Sequence, residues 1–242
     1  MRNTLLLLAS LTLVAGANAQ SFTEGFETGP AGWFAGTGST TTFGNTAGGD
    51  AMAFGSGTWH AVNASSPIGS TGWFTNNTVF AAHTGTNALN ANFNNTTGAN
   101  TINNFMMSMV RTFNNCDVIS FWTRTVSAPA FPDRLHLKLS TNGASTNVAD
   151  FTTTLLTVNN GLTTAGYPST WTQFSATLTG LSGPTAGRFA FNYNVPSGGP
   201  AGANSDFIGI DDVSYEAVPE PATMTLLGLG ALAALKRRKN KA

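Results

Sequence analysis

The sequence predicts an all-β protein, built as a two-sheet sandwich between two short terminal segments. Three observations carry that expectation. Thr, Asn, Ser and Gly are abundant, while charged residues make up only 9% of the 242-residue chain, a balance that suits short strands joined by many turns. Several segments alternate apolar and polar residues at the period of two that a half-buried strand requires. Nothing between the two ends reads as a long amphipathic helix.

At the start, Met1-Arg2 is followed by Leu5-Leu6-Leu7-Leu8, an apolar stretch to Val14, and Ala17-Asn18-Ala19. One positive charge, a short apolar core and small residues at −3 and −1 predict a signal peptide over 1–19, cleaved after Ala19.

Phe22-Thr23-Glu24-Gly25-Phe26-Glu27 alternates as an opening strand should. Gly32-Trp33-Phe34 follows a Gly-Pro turn. The region 36–104 reads as loop-rich, with Met52, Phe54, Trp59, Trp73-Phe74, Val79-Phe80 and Leu89 as core anchors. Phe105-Met106-Met107-Ser108-Met109 and Val118-Ile119-Ser120-Phe121-Trp122 read as strands of the interior. Arg134-Leu135-His136-Leu137-Lys138-Leu139 alternates strictly and is followed by a tight turn at Asn142-Gly143. Further strands are expected at 172–178, 188–193 and 207–215.

The chain then changes character. Val218-Pro219-Glu220-Pro221 leads into an uncharged apolar run over 222–235, followed by Lys236-Arg237-Arg238-Lys239-Asn240-Lys241. The prolines fix φ and remove backbone donors, keeping the segment open to another protein. The apolar run satisfies its backbone internally as a helix in lipid, and the basic cluster resists translocation. About 14 residues at ~1.5 Å span roughly 21 Å against ~30 Å of hydrocarbon, so the segment reads as a transient address more than a permanent anchor.

Charge is distributed unevenly. The chain has 11 basic and 11 acidic residues, but between Arg2 and the C-terminal cluster only Arg111, Arg124, Arg134, Lys138 and Arg188 remain. The body is therefore acidic, which disfavours a nucleic-acid partner. Cys116 is the only cysteine, so no intrachain disulfide forms; it reads as a half-buried small residue at a strand start.

The C-terminal arrangement resembles the PEP-CTERM sorting signal of Gram-negative bacteria, which implies an exosortase, a membrane cysteine transpeptidase, as partner and processing near Pro219-Glu220-Pro221. The body, over 21–217, resembles the choice-of-anchor J domain. The residues that carry this are 22–27, Gly32-Trp33, His83-x-Gly85, 135–140, Trp171 and Ile208-Gly209-Ile210-Asp211-Asp212-Val213. Where that family carries a Trp-Leu-x-Thr-Pro-like strand start, Asn104-Phe105-Met106-Met107-Ser108-Met109 stands here. The resemblance implies an extracellular jelly roll over 20–217, with 218–242 as the sorting tail.

Two chemistries are open to the body. Glu24 and Glu27 lie near the first strand, and Asp211 and Asp212 near the last, which are often neighbours in a jelly roll. With carbonyls from the turn at 83–87 they are candidate ligands for a structural calcium ion, which takes oxygen donors. A regular strand sends Asp211 and Asp212 to opposite faces, so only one ligates unless a bulge intervenes. The same four acids are the only candidates for the carboxylate pair of a glycan hydrolase. No His-x-x-x-His pair or Gly-x-Ser-x-Gly elbow is present. His136 reads as part of a solvated face, or else as a shallow ligand surface with Asn192 and Arg124. Most of the five tryptophans read as core; an exposed one favours sugar stacking. The expected function is an exported, non-enzymatic surface or matrix protein in contact with exopolysaccharide, with a glycan hydrolase as the alternative.

Overall fold

The computed structural model describes residues 21–27, 45–55, 57–75 and 79–218, which hold twelve strands in two antiparallel sheets. The smaller sheet runs β1 (Phe22–Glu24), β12 (Phe207–Glu216), β7 (Val118–Thr125) and β10 (Thr172–Thr177), with β4 (Leu89–Asn92) also pairing β12. The larger runs β2 (Asp50–Phe54), β3 (Gly57–Asn63), β5 (Ile102–Met107), β11 (Thr185–Val195), β8 (Leu135–Ser140) and β9 (Thr153–Val158), with β6 (Arg111–Phe113) also on β11. This is the all-β, two-sheet jelly-roll sandwich expected from the sequence.

Alternation decides which side of each strand is buried. Leu135, Leu137 and Leu139 are buried along β8, while His136 and Lys138 between them are partly exposed. In β7, Ile119 and Phe121 point inward and Ser120, Trp122 and Arg124 outward. Aromatic rings fill the interior: Phe189 lies 5.7 Å from Trp59, 6.0 Å from Phe191 and stacks at 6.3 Å on Phe22.

The long central strands depart from alternation. Gly187 to Tyr193 on β11 and Phe207 to Asp211 on β12 are buried on both sides, because a connecting segment roofs each outer face. Phe151 and Val148 pack on Val62, Phe105, Met107 and Ala190 over the larger sheet. Over the smaller sheet lies Phe80, so close to β12 that a Cβ on Gly209 would come within 2.6 Å of its ring.

Several expectations need correcting. Within 36–104 the described residues hold β2, β3, β4 and the start of β5; β2 and β3 are rich in Ala, Gly and Thr, which dilutes the apolar signal. Val79 is 51% exposed and Phe80 roofs an outer face, so neither is a core anchor. Trp122 faces outward. Cys116 is exposed, in a turn with φ of 75°. The turn at Asn142-Gly143 exists, with Ser145 N–H donating to Asn142 O at 3.1 Å, but β8 reaches β9 through a longer connection containing a 3-10 turn at Val148–Asp150. Trp33, the signal peptide with Ala17 and Ala19, the apolar run and the basic cluster lie outside the described residues. Among the described residues, no helix is long and apolar enough to cross a membrane.

Phe189→Ala, which empties the centre of this aromatic cluster, is expected to cost about 3–5 kcal/mol of stability by urea denaturation. An unchanged midpoint would contradict the packing described.

Candidate functional site

Asp211 and Asp212 sit where β12 changes partners along one edge. β4 pairs with Phe207–Ile210 and β1 with Val213–Tyr215, leaving the two aspartates between them. On the other edge Asp211 opposes Trp122 while Ser214 opposes Ser120. β12 therefore carries an extra residue, a β-bulge, and Asp212 adopts a left-handed φ of 43°. The bulge brings both carboxylates to one turn.

That turn is 83–87. Asp211 Oδ2 accepts the N–H of His83 at 2.8 Å and of Thr84 at 3.3 Å, and its Oδ1 accepts Asp212 N–H at 2.8 Å. Asp212 Oδ1 accepts the Thr84 hydroxyl at 2.7 Å, and Oδ2 lies 2.6 Å from His83 Nδ1. Glu27 Oε1 takes the N–H groups of Thr86 and Asn87 at 2.9 and 2.8 Å, and Oε2 the Thr86 hydroxyl at 2.9 Å. Gly85, at φ of 62°, is required here, since a Cβ would lie 2.4 Å from Glu27 Oε1.

Three of the four predicted carboxylates thus gather on one turn. Glu24 does not join them in these contacts: it is buried, on the face of β1 shared with Phe22, and accepts Phe26 N–H at 2.8 Å. Burial pushes the Asp211 carboxyl up to about 7; the neighbouring Asp212 charge adds to this, and the N–H donors offset part of it. An all-oxygen donor set suits calcium, but among the described residues no three acidic, His or Cys side chains are spaced to share a metal ion.

Beside the carboxylates lies a half-exposed aromatic shelf. His83 stacks on Trp122 at 3.9 Å, and Trp171 stands 5.9 Å from His83 and 5.6 Å from Phe80. Trp171 Nε1 donates to Ala81 O at 3.0 Å, and the Arg124 guanidinium lies 4.6 Å over the Phe80 ring. Trp59 and Trp73 are core, as expected for most tryptophans; Trp122 and Trp171 are not.

The surface suggested by His136, Asn192 and Arg124 does not form. His136 and Asn192 are cross-strand neighbours on the larger sheet, whereas Arg124 lies on the outer face of the smaller one. Sequence reasoning also missed Asp133, buried between sheets and accepting the Tyr193 hydroxyl at 2.5 Å, Asp206 N–H at 2.9 Å and the Thr125 hydroxyl at 3.0 Å. Burial raises its pKa to about 6, but it is sealed from solvent. A groove of about 710 Å3 runs between 127–129 and 164–170; its one titratable lining residue, Tyr167, has its hydroxyl 2.7 Å from that of Thr123.

The chain leaves the sandwich at a fastened point. Ala217 N–H donates to Ser21 Oγ at 3.0 Å, and Val218 N–H to buried Asp117 at 2.8 Å. Residues 217–239 match the PEP-CTERM protein-sorting motif, so Val218, Pro219, Glu220 and Pro221 are part of it. No curated protein sequence matches the chain. Among solved structures, the K1 cleaved adhesin domain of Lys-gingipain from Porphyromonas gingivalis W83 is similar at 17% identity and a TM-score of 0.52, over 83% of this chain and 99% of that one. The K3 cleaved adhesin domain of the same protein is similar at 16% identity and a TM-score of 0.50, over 82% of this chain and 97% of that one. At such identities the likeness is one of fold.

Asp211 binds its proton more tightly folded than unfolded, so its contribution to stability falls as pH rises from about 4 to about 7. His136, held near 4 by burial and by Arg134 and Lys138, acts oppositely: stability is lost as pH falls from about 6.5 to about 4. The Asp211 effect is therefore read as a difference. The Tm of Asp211→Asn relative to wild type is expected to rise between about pH 4.5 and pH 7.5; a gap independent of pH would contradict the raised carboxyl.

Proposed function

We propose that the protein is an exported, non-enzymatic component of the bacterial cell surface or extracellular matrix, sorted by an exosortase-like membrane transpeptidase. One observation carries the reading: the PEP-CTERM match begins at 217, directly after β12 ends at Glu216. The motif implies export and sorting at the membrane before processing. In this reading 222–235 is the transient membrane segment, Lys236, Arg237, Arg238 and Lys239 stay cytoplasmic, and the sandwich, a choice-of-anchor J-like domain, is left outside.

The body then binds exopolysaccharide on the outer face of the smaller sheet. The partly exposed rings of Trp122 and Trp171 support this, because an aromatic face packs on the apolar side of a sugar ring. Amides and hydroxyls of the adjoining turn, such as Asn87 and Thr86, suit sugar hydroxyls.

Calcium belongs to the same proposal as a structural ion on Glu27, Asp211 and Asp212. The support is the negative charge collected around buried Asp211, which a cation would offset. Binding would require these oxygens to exchange donors of the 83–87 turn for the metal. A hydrolase is the second reading, favoured by the raised Asp211 pKa that a general acid needs. The complete burial of Asp211 stands against it.

Four measurements test this. Intact mass of the exported protein is expected to lack the Lys-rich terminus; finding it retained defeats transient sorting. Trp171→Ala is expected to weaken retention on the bound members of a polysaccharide panel by about tenfold, and flat binding across the panel removes the ligand. Chelation is expected to lower the Tm, and an unmoved Tm removes the metal. Release of reducing ends, abolished by Glu27→Gln or Asp211→Asn, would establish the hydrolase instead.

A further inference from the structure

The basic residues of this acidic body are gathered rather than scattered. Arg134, His136 and Lys138 stand on alternate positions of one extended run, about 7 Å apart and facing outward from the larger sheet. Across the sheet, His136 is flanked by Asn192 and Thr157, and Lys138 by Ala190 and Thr154. His60 and Arg188 complete the same face. Of the other basic residues of the body, Arg111 and Arg124 are instead packed over the rings of Phe22 and Phe80, and His83 stacks on Trp122 of the smaller sheet.

Among the described residues no carboxylate lies within ion-pairing distance of Arg134, Lys138 or Arg188, and the His83–Asp212 contact, at 2.6 Å, is on the opposite sheet. The carboxylate that the 3-10 turn brings toward this face, Asp150, is instead held by Asn142 Nδ2 at 2.8 Å and by the Ser145 hydroxyl. Arg188 is buried, donating to the carbonyls of Ser108 and Ala144. Burial lowers the His136 pKa to about 4, and the neighbouring charges of Arg134 and Lys138 add to that shift.

The face is also rich in fixed amides. Arg134 Nε and Nη2 donate to Asn194 O and Oδ1 at 3.0 and 2.7 Å, which holds the guanidinium in place. Buried Asn192 and half-buried Asn194 both donate to Asn103 Oδ1, at 2.8 and 3.3 Å, which holds the Asn103 amide in place. The held Arg134 guanidinium and the nearby Lys138 ammonium, beside amides and threonine hydroxyls, offer anion contacts beside hydroxyl contacts. That combination matches a sugar polymer carrying carboxylates.

We propose that this outer face of the larger sheet, centred on Arg134, Lys138, Asn103 and Asn194, is a second binding surface that takes an anionic, carboxylate-bearing polysaccharide. It lies on the opposite side of the sandwich from the aromatic shelf and does not depend on it. A body with one face for ring stacking and another for charge would bridge two chains of a matrix.

The test is binding of the exported protein to polygalacturonate, measured in chelator so that no calcium bridge contributes. Retention is expected at low salt and should weaken steadily as salt is raised. Arg134→Gln/Lys138→Gln is expected to lose about tenfold in affinity, mainly in association rate, with Arg134→Lys retaining most of it. Should the double variant fail to fold, Lys138→Gln alone, half-exposed, is expected to lose about threefold. Unchanged binding in these variants would overturn the proposal. So would equal retention on neutral dextran, while equal binding of a DNA duplex would show general polyanion attraction and overturn the polysaccharide assignment.

Discussion

The structure depends on carboxylates that hold a turn. Glu27 and Asp211 accept backbone N–H groups from four of the five residues 83–87, and Asp212 and Glu27 take the hydroxyls of Thr84 and Thr86. A turn laid over a sheet must find partners for its backbone donors, and charged acceptors make stronger bonds than neutral ones. The arrangement joins the first strand, the last strand and a segment far from both in sequence. It also fixes His83 against Trp122, so the aromatic shelf follows from it.

The arrangement is costly, and the fold accommodates the cost locally. Asp211 is wholly buried beside another carboxylate, and its proton affinity rises accordingly. The bulge and the left-handed Asp212 turn both side chains to one place, and Gly85 and Gly209 remove the Cβ atoms that would block the turn and Phe80. The other sheet solves its roofing problem differently. There Phe151 and Val148 cover the apolar outer side of β5 and β11, and the cations stand beside that cover.

How much of this was legible in the sequence varies by element. The strict alternation of 134–139 set β8 and its inward leucines, and β10, β11 and β12 read equally well. The meeting of Glu27 with Asp211, Asp212 and the turn after His83 followed from strand neighbourhood. What did not read was register. Whether Trp122 faces in or out turns on one residue of offset, because a one-residue slip reverses every side chain. Arg124 and His136 both face outward but on different sheets, and alternation along a strand does not show which sheet the strand joins. The bulge that unites Asp211 and Asp212 left no sequence mark, and β2 and β3 were hidden by their small residues. Asp133 was illegible because its partners Tyr193, Thr125 and Asp206 come from three separate segments.

The turn at 83–87 is held by carboxylates as firmly as a strand is held by its neighbour, and amide hydrogen exchange on the intact protein reads that hold residue by residue. Protection of the His83, Thr86 and Asn87 amides is expected to approach that of β12, and to collapse in Glu27→Gln/Asp211→Asn while β8 stays protected. Rapid exchange at those three amides in the wild-type protein would contradict the account.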